Sequence, residues 1–285
     1  MTIKVNFIWS IAKIHAIRNR TIVKQNKRYA GPRGNAGYID VQDILDRLLQ
    51  QSTGGKYAYC KGKFVLDDPA NVERIECREL CDASRFAGII DRYASRFGEA
   101  DRRAVVSMWT MYYFSTLAIS ATIFWLEMRR SLPLALEEVA VCLDPETAEP
   151  RCFVLQNAGE EAHHLQIGSA LQPLLLRHAT PLIAAISENT GVARRLVWSN
   201  LVAYFAWIVT EIGRLTDSAL EAEGLELLQT ALWSEDIPNP MLGLVQEISG
   251  SGGVTINRRR VCCLRYLLPG IAGCGEVCPL PGGRC

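Results

Sequence analysis

What this sequence lacks narrows its function first. It has almost no charge imbalance: 31 lysines and arginines stand against 30 aspartates and glutamates, a formal net charge of +1. A protein that grips nucleic acid across its surface carries a strong basic excess, so a nucleic-acid partner is not expected, and any basic docking surface must be local. No glycine-rich dinucleotide fingerprint follows a strand, which speaks against direct use of NAD(P)H. No internal repeat is found. The first residues, MTIKVNFIWSIAKIHAIRNR, lack a secretory signal: Lys4, Lys13 and His15 interrupt the apolar positions, and no small-residue cleavage site follows. A cytoplasmic, reducing location is the expectation, and ten cysteines there do not form a disulfide framework.

What is present is the composition of a packed protein, with 49% hydrophobic and 21% charged residues over 285 positions. The predicted fold class is α+β and predominantly helical, a helical bundle-like core with a small β-hairpin and a cysteine-rich C-terminal segment. Three regions follow from the pattern. Residues 1–100 are mixed. Tyr29–Tyr38 holds Gly31, Pro32, Gly34 and Gly37 and reads as a loop. Ile39–Gln51 carries Val41, Ile44, Leu45, Leu48 and Leu49 at helical spacing, with Asp40 as a cap and Gly54–Gly55 as a stop. Tyr57–Leu66 reads as extended chain turning near Lys61–Gly62. Val72–Arg96 reads as one helix between Pro69 and Gly98.

Residues 101–248 are dominated by long helices. Val105–Leu126 contains no charged residue over 22 positions, long enough to span a membrane. Its six serines and threonines and its close flanks of Arg102, Arg103, Glu127, Arg129 and Arg130 favour a core helix enclosed by others. Peripheral contact with the inner membrane stays open. Glu138–Leu143 and Arg151–Leu155 flank a Pro-containing turn and predict a hairpin with Cys142 facing Cys152. Helices are expected over Ile167–His178, Pro181–Glu188, Ala193–Leu215 and Leu225–Trp233. Cys77 and Cys81, one helical turn apart with no histidine or carboxylate partner in view, read as core packing.

Residues 249–285 change character. Ser249–Gly253 is a Ser/Gly linker, Asn257–Arg260 a basic run, and five of the ten cysteines lie beyond Val261. Their pattern is C-C-x10-C-x3-C, with Cys285 following after six intervening residues. Thiolates select zinc, cuprous copper or iron–sulfur clusters. Structural zinc sites usually space cysteines two to four apart. Neighbouring side chains of an extended chain point opposite ways, so the adjacent pair Cys262–Cys263 needs a local turn to serve one centre. The reading left beside a cluster is a non-enzymatic interaction module with a structural four-cysteine zinc site.

The stretch Arg259-Arg260-Val261-Cys262-Cys263-Leu264-Arg265-Tyr266-Leu267-Leu268-Pro269, with Cys274 and Cys278 after it, resembles the C-terminus of FhuF-type ferric siderophore reductases. That family carries C-C-x10-C-x2-C, whose cysteines bind a two-iron two-sulfur (2Fe–2S) cluster. Trp109 with Tyr112 and Tyr113, and the W-x-N of Trp198 and Asn200, resemble further signatures of the family. The resemblance implies an oxidoreductase that releases iron from an Fe(III)-siderophore, of hydroxamate type, by one-electron reduction. It implies a 2Fe–2S cofactor on Cys262, Cys263, Cys274 and Cys278, and a separate donor protein of ferredoxin or flavin type. The last gap is x3 rather than x2, so Cys285 is the alternative fourth ligand; a turn at Gly275 could absorb the extra residue.

Arg258, Arg259, Arg260 and Arg265 surround these cysteines in sequence. They would hold the cluster, tune it, or receive an anionic siderophore or donor; otherwise they are a solvated run. Substrate contact is thus expected at Arg259, Arg260, Arg265, His163 and Trp198. His163 and His164 lie in GEEAHHLQ, which resembles an E-x-H-x-Q-N element of IucA/IucC-type siderophore synthetases, with Ile167 where Asn would stand. Trp198, Tyr204 and Trp207 fall about one and two turns apart on one predicted helix, as a core stripe or the lining of an apolar pocket.

Overall fold

The computed structural model describes residues 44–234, 236–250 and 255–280. The loop at Tyr29–Tyr38, the Asp40 cap, most of the Ser/Gly linker and Cys285 lie outside the described residues. Helix α1 (Ile44–Thr53) buries Leu45 and Leu49 at the spacing read from sequence. It leads through a short turn to strand β1 (Phe64–Val65). Within the segment read as extended chain, its pairing is long-range: β1 lies parallel to a strand at Pro150–Leu155, with Phe64 opposite Phe153.

Val72–Arg96 is not one helix. It divides into strand β2 (Glu73–Glu76), a 3-10 turn at Cys77–Cys81, and helix α2 (Ala83–Ala94). The cause is local. Asp82 caps α2 by accepting the Arg85 N–H at 2.8 Å, so the helix starts there. Upstream, Ile75 alone points inward from an extended segment whose flanking charges face out. Cys77 is fully buried in the core, as a packing residue should be.

Helix α3 (Arg102–Met128) is the axis of the molecule, capped by Asp101 on the Arg103 N–H. Nearly every residue from Ala104 to Leu126 is buried, which makes the uncharged run a core helix surrounded on all sides. After α3 come strand β3 (Arg130–Ser131), β4 (Val139–Leu143), β5 (Pro150–Leu155) and β6 (Glu160–Glu161). The predicted hairpin is β4–β5, antiparallel, with Cys142 opposite Cys152. It forms the centre of a four-stranded sheet in the order β1-β5-β4-β2. Alternation sorts its faces. Val141 and Phe153 join the main core, where Phe153 meets the ring of Tyr113 at 4.9 Å. Ala140, Cys142, Cys152 and Val154 form a small second cluster on the other face.

Ile167–Ala179 is a chain of short turns ending in a π-helical turn at Leu175–Ala179, rather than a single helix. That turn carries His178 into the core, fully buried. Its Nδ1 bonds the Leu134 carbonyl at 2.9 Å, so it bears the proton, and its Nε2 accepts from the Tyr113 hydroxyl at 2.7 Å. Burial pushes His178 down to about 4, partly offset by the Leu134 carbonyl.

Helix α4 (Thr180–Thr190) and helix α5 (Arg194–Leu215) follow. By length and composition α5 could cross a membrane, yet 72% of its apolar window is buried inside the protein. It packs beside α3. Asn200 bonds Ser107 at one end, and Thr216 bonds Glu127 at the other, so α3 and α5 run parallel. Helix α6 (Ser218–Gln229) starts earlier than expected and ends before strand β7 (Leu232–Ser234), which takes the C-terminal part of the predicted Leu225–Trp233 helix. Gly224 of α6 lies against Val209, where a Cβ would come within 2.6 Å of its methyl groups. Strands β8 (Ile237–Pro238), β9 (Val245–Ser249) and β10 (Thr255–Arg259) complete the order. The basic run is thus largely strand, paired antiparallel with β9 from Thr255 opposite Ser249 to Arg259 opposite Val245.

Candidate metal centre

The cysteine tail leaves β10 and folds onto the N-terminal half of α3. Ser107 donates its hydroxyl to the Cys263 carbonyl at 2.7 Å. Leu264 adopts φ 60°, a left-handed backbone that leucine rarely takes. This is the local turn that an adjacent cysteine pair needs. It lets the Leu264 N–H reach back to Cys262 Sγ at 3.3 Å. A 3-10 turn at Arg265–Leu267 then brings the chain round to Cys274.

Cys263 Sγ and Cys274 Sγ lie 3.4 Å apart. Two thiolates on one tetrahedral metal with bonds of ~2.3 Å sit about 3.8 Å from each other. After Cys274, Gly275 takes φ +61° and opens a 3-10 turn over Gly275–Val277. The three-residue gap is absorbed there, and the Cys278 N–H closes the turn on the Gly275 carbonyl at 3.1 Å. Arg258 Nε anchors the other side by bonding the Cys278 carbonyl at 2.7 Å. Cys263, Cys274 and Cys278 are each 1% exposed, whereas Cys262 is half-buried. Burial pushes the Cys262 thiol up; the Leu264 N–H and the Arg259 charge oppose this, and Cys263 and Cys278 reinforce it.

Two arginines expected at a substrate surface turn inward. Arg259, 2% exposed, gives Nη2 to Asn200 Oδ1 at 2.5 Å and Nε to the Val261 carbonyl at 3.3 Å. Both acceptors are neutral. Arg265, 4% exposed, places Nη2 3.4 Å from Met111 Sδ. Burial works against its charge, but Tyr204, Cys274 and Cys263 around it outweigh burial and hold its pKa up. The strand explains the pattern: along β10 into the tail Arg259 points in while Arg260 is exposed. Of the arginines singled out for substrate contact, Arg260 alone faces solvent.

The remaining candidates are separated from the cysteines. His163 follows β6, whose partner β3 leaves the C-terminal end of α3, and Ala162 N–H bonds the Arg129 carbonyl. From Ser107 to Arg129 the helix advances roughly 33 Å. His163 is exposed beside Glu161 at 3.6 Å, far from the tail. Trp198 is 5% exposed and packs edge-on against Trp233 at 5.9 Å. It belongs to the core, while its neighbour Asn200 reaches Arg259. Trp207 packs on Tyr59, with ring centres 6.2 Å apart. Sequence reasoning missed Ser107 and the structural part played by Asn200. The W-x-N signature pointed to Asn200 without saying what it holds.

Among the described residues, no group of three or more His, Cys, Asp or Glu side chains is drawn close enough to hold a single metal ion. A binuclear cluster makes a different demand, since it takes its four cysteines as two pairs. The donor set fits that group: a close buried sulfur pair, a half-buried and a buried cysteine beside it, an amide N–H on sulfur, and two buried guanidinium groups to meet anionic charge.

A helical core whose longest helix supports a cysteine tail defines a helical α+β protein with a cysteine-rich C-terminal segment. The profile of the family described as ferric iron reductase FhuF-like transporter matches residues 107–251, just over half the chain, and the chain belongs to that family. The matched stretch starts at Ser107 and covers the helical core. A curated relative, the ferric siderophore reductase of Escherichia coli (strain K12), is 22% identical over 254 residues, covering 84% of this chain and 92% of the relative. Among solved structures, the aerobactin synthetase IucC from a hypervirulent pathotype of Klebsiella pneumoniae superposes with a TM-score of 0.52 at 14% identity. That likeness covers 72% of this chain but spans only about half of the synthetase, at 48%, and is one of fold alone.

Proposed function

We propose that this protein is an oxidoreductase that reduces Fe(III)-siderophores, of hydroxamate type, by one electron. The observation that carries this reading is the close Cys263–Cys274 sulfur pair, with buried Cys278 and half-buried Cys262 in the same tail and buried Arg259 and Arg265 beside it, at one end of α3 within a chain of this family. A 2Fe–2S cluster on these four cysteines would supply a reversible one-electron couple. Ferric iron is held tightly by such chelators and ferrous iron far less, so one electron per ferric ion suffices for release. A separate ferredoxin- or flavin-type protein loses that electron, in keeping with the missing dinucleotide fingerprint.

The chain's own residues divide the work. Ser107, Arg258 and the Gly275 turn fix the cysteine loops. Arg259 and Arg265 oppose the negative charge that four thiolates bring into the interior. Cys262 is the half-buried cysteine of the set and marks the edge where electrons enter and leave. Exposed Arg260 and Tyr266, two residues before it and four after, offer a cationic and an aromatic contact to an anionic ferric complex. Residues 249–285 act as the redox segment, 101–248 as its helical support, and the site of action is the cytoplasm, with room for peripheral membrane contact.

The test is anaerobic. Reduced protein mixed with a ferric hydroxamate should release one ferrous ion per electron to a ferrous-specific chelator. Oxidised protein or a Cys263→Ser variant should release none. Release that is independent of the cysteines would sink the reading.

A further inference from the structure

A buried hydroxyl beside the proposed cluster site is left unbonded among the described residues. Tyr204 is 5% exposed, and its hydroxyl has no hydrogen-bond partner among the described residues. An unmet buried hydroxyl is costly to the fold. Phenylalanine would carry the same ring without that cost.

The position of the hydroxyl follows from the helices. α3 and α5 run parallel, and Asn200 is level with Ser107. Four residues on, Tyr204 lies on the same face of α5 as Asn200, level with Met111. Met111 Sδ is where Arg265 Nη2 ends, and Ser107 holds the Cys263 carbonyl. Long side chains on a helix lean toward its N-terminus, so the Tyr204 ring leans from the level of Met111 toward that of Ser107. Its hydroxyl therefore faces the layer occupied by Cys263 and Arg265. The electrostatics agree: Arg265, Arg259 and Cys263 all act on the Tyr204 hydroxyl, whose pKa burial raises. Ser199 also has an unbonded hydroxyl, but it lies about 100° around α5 from Asn200.

We infer that the Tyr204 hydroxyl donates a hydrogen bond to a sulfur of the 2Fe–2S cluster, on its Cys263 side, and raises the reduction potential. The inference rests on the cluster reading above and adds a positioning and tuning residue to it. The physical reason is charge. A cluster with four thiolates carries about −2 when oxidised and −3 when reduced, and a donor on sulfur stabilises the more negative state further. The proton stays on Tyr204; one electron is gained from the donor protein and none from tyrosine.

The test uses the full-length, cluster-loaded protein in a potentiometric titration read by visible absorption. Tyr204→Phe should keep the colour and lower the reduced-to-oxidised ratio at a fixed potential about tenfold, equivalent to 59 mV for one electron. Replacing Tyr204 by 3-fluorotyrosine, a stronger donor of nearly the same shape, should shift the ratio the other way. That second substitution decides the matter should Tyr204→Phe lose its iron. Coloured variants with an unchanged midpoint overturn the inference and leave the cluster reading standing. Wild-type protein that binds no cluster overturns both.

Discussion

Cys142 and Cys152 face each other on neighbouring strands, and Cys263 and Cys274 face each other across two turns of the tail. Both pairs are buried, and their surroundings differ in kind. The strand pair lies among Val65, Ala140 and Val154 on the outer face of the sheet. There the neighbouring thiol and burial together push Cys152 up, which keeps it protonated and inert. The tail pair lies beside Arg265, with the Cys263 carbonyl fixed by Ser107 and irregular backbone on both sides. Two cysteines at close range therefore do not make a metal site by themselves. Nor does cationic charge separate the pairs, since Lys63 and Arg151 act on Cys152; the tail differs in having further cysteines close by and a chain path free of a strand ladder.

The sharpest way to break this comparison is to remove sulfurs from each pair. Cys263→Ser or Cys274→Ser should abolish bound iron. Cys142→Ala and Cys152→Ala should retain the full complement, as judged by visible absorption and iron analysis. Loss of iron from the strand variants would erase the distinction. The fourth ligand comes next: Cys278→Ser should lose the cluster, and Cys285→Ser should keep it. The reverse pattern would assign the role to residue 285.

Buried charge gives a smaller but diagnostic effect. Arg259→Met leaves Asn200 Oδ1 without its donor and removes a countercharge to the cluster, so it should destabilise the loaded protein by about 3 kcal/mol. Arg260→Met, at an exposed site, should change stability by less than about 0.5 kcal/mol. Denaturant midpoints of the two loaded variants make the check, and equal shifts would remove the special status of Arg259.

The last prediction concerns the core away from the tail. His178 is neutral in the fold, with its pKa at about 4 against an ordinary ~6.5. The unfolded chain binds the extra proton between those values. The stability due to this group is thus complete above about pH 6.5 and is lost as pH falls toward 4, by up to ~3 kcal/mol. Denaturation of cluster-free protein at pH 7.5, 6 and 5 should show that slope, and His178→Gln should flatten it. A slope that survives the substitution would place its origin elsewhere.

The comparison also shows what could be read from sequence. Soft ligands at short spacing singled out the tail, which folds back onto α3, and Gly275 marked where a turn falls. The core status of the Val105–Leu126 run was legible from its hydroxyls and its charged flanks. The β4–β5 hairpin, with Cys142 opposite Cys152, followed from alternation. Other features depend on partners distant in sequence. β2 has Ile75 as its one buried position, so nothing in it resembles a strand until β4 pairs with it. β1 is defined by a parallel partner far along the chain. The arginine run left a docking and a solvated reading open, because sequence does not say which way each side chain points; the pleat of β10 buries Arg259 alone among the three. His163 and Trp198 had plausible chemistry, but one stands at the far end of α3 and the other packs on Trp233.

The central claim is that the tail holds a cluster rather than a lone ion, and the purified protein tests it most directly. Anaerobically isolated chain should be red-brown, contain about two irons and two sulfides, and give a paramagnetic-resonance signal on one-electron reduction. Colourless protein with one zinc per chain and no signal on reduction would contradict it.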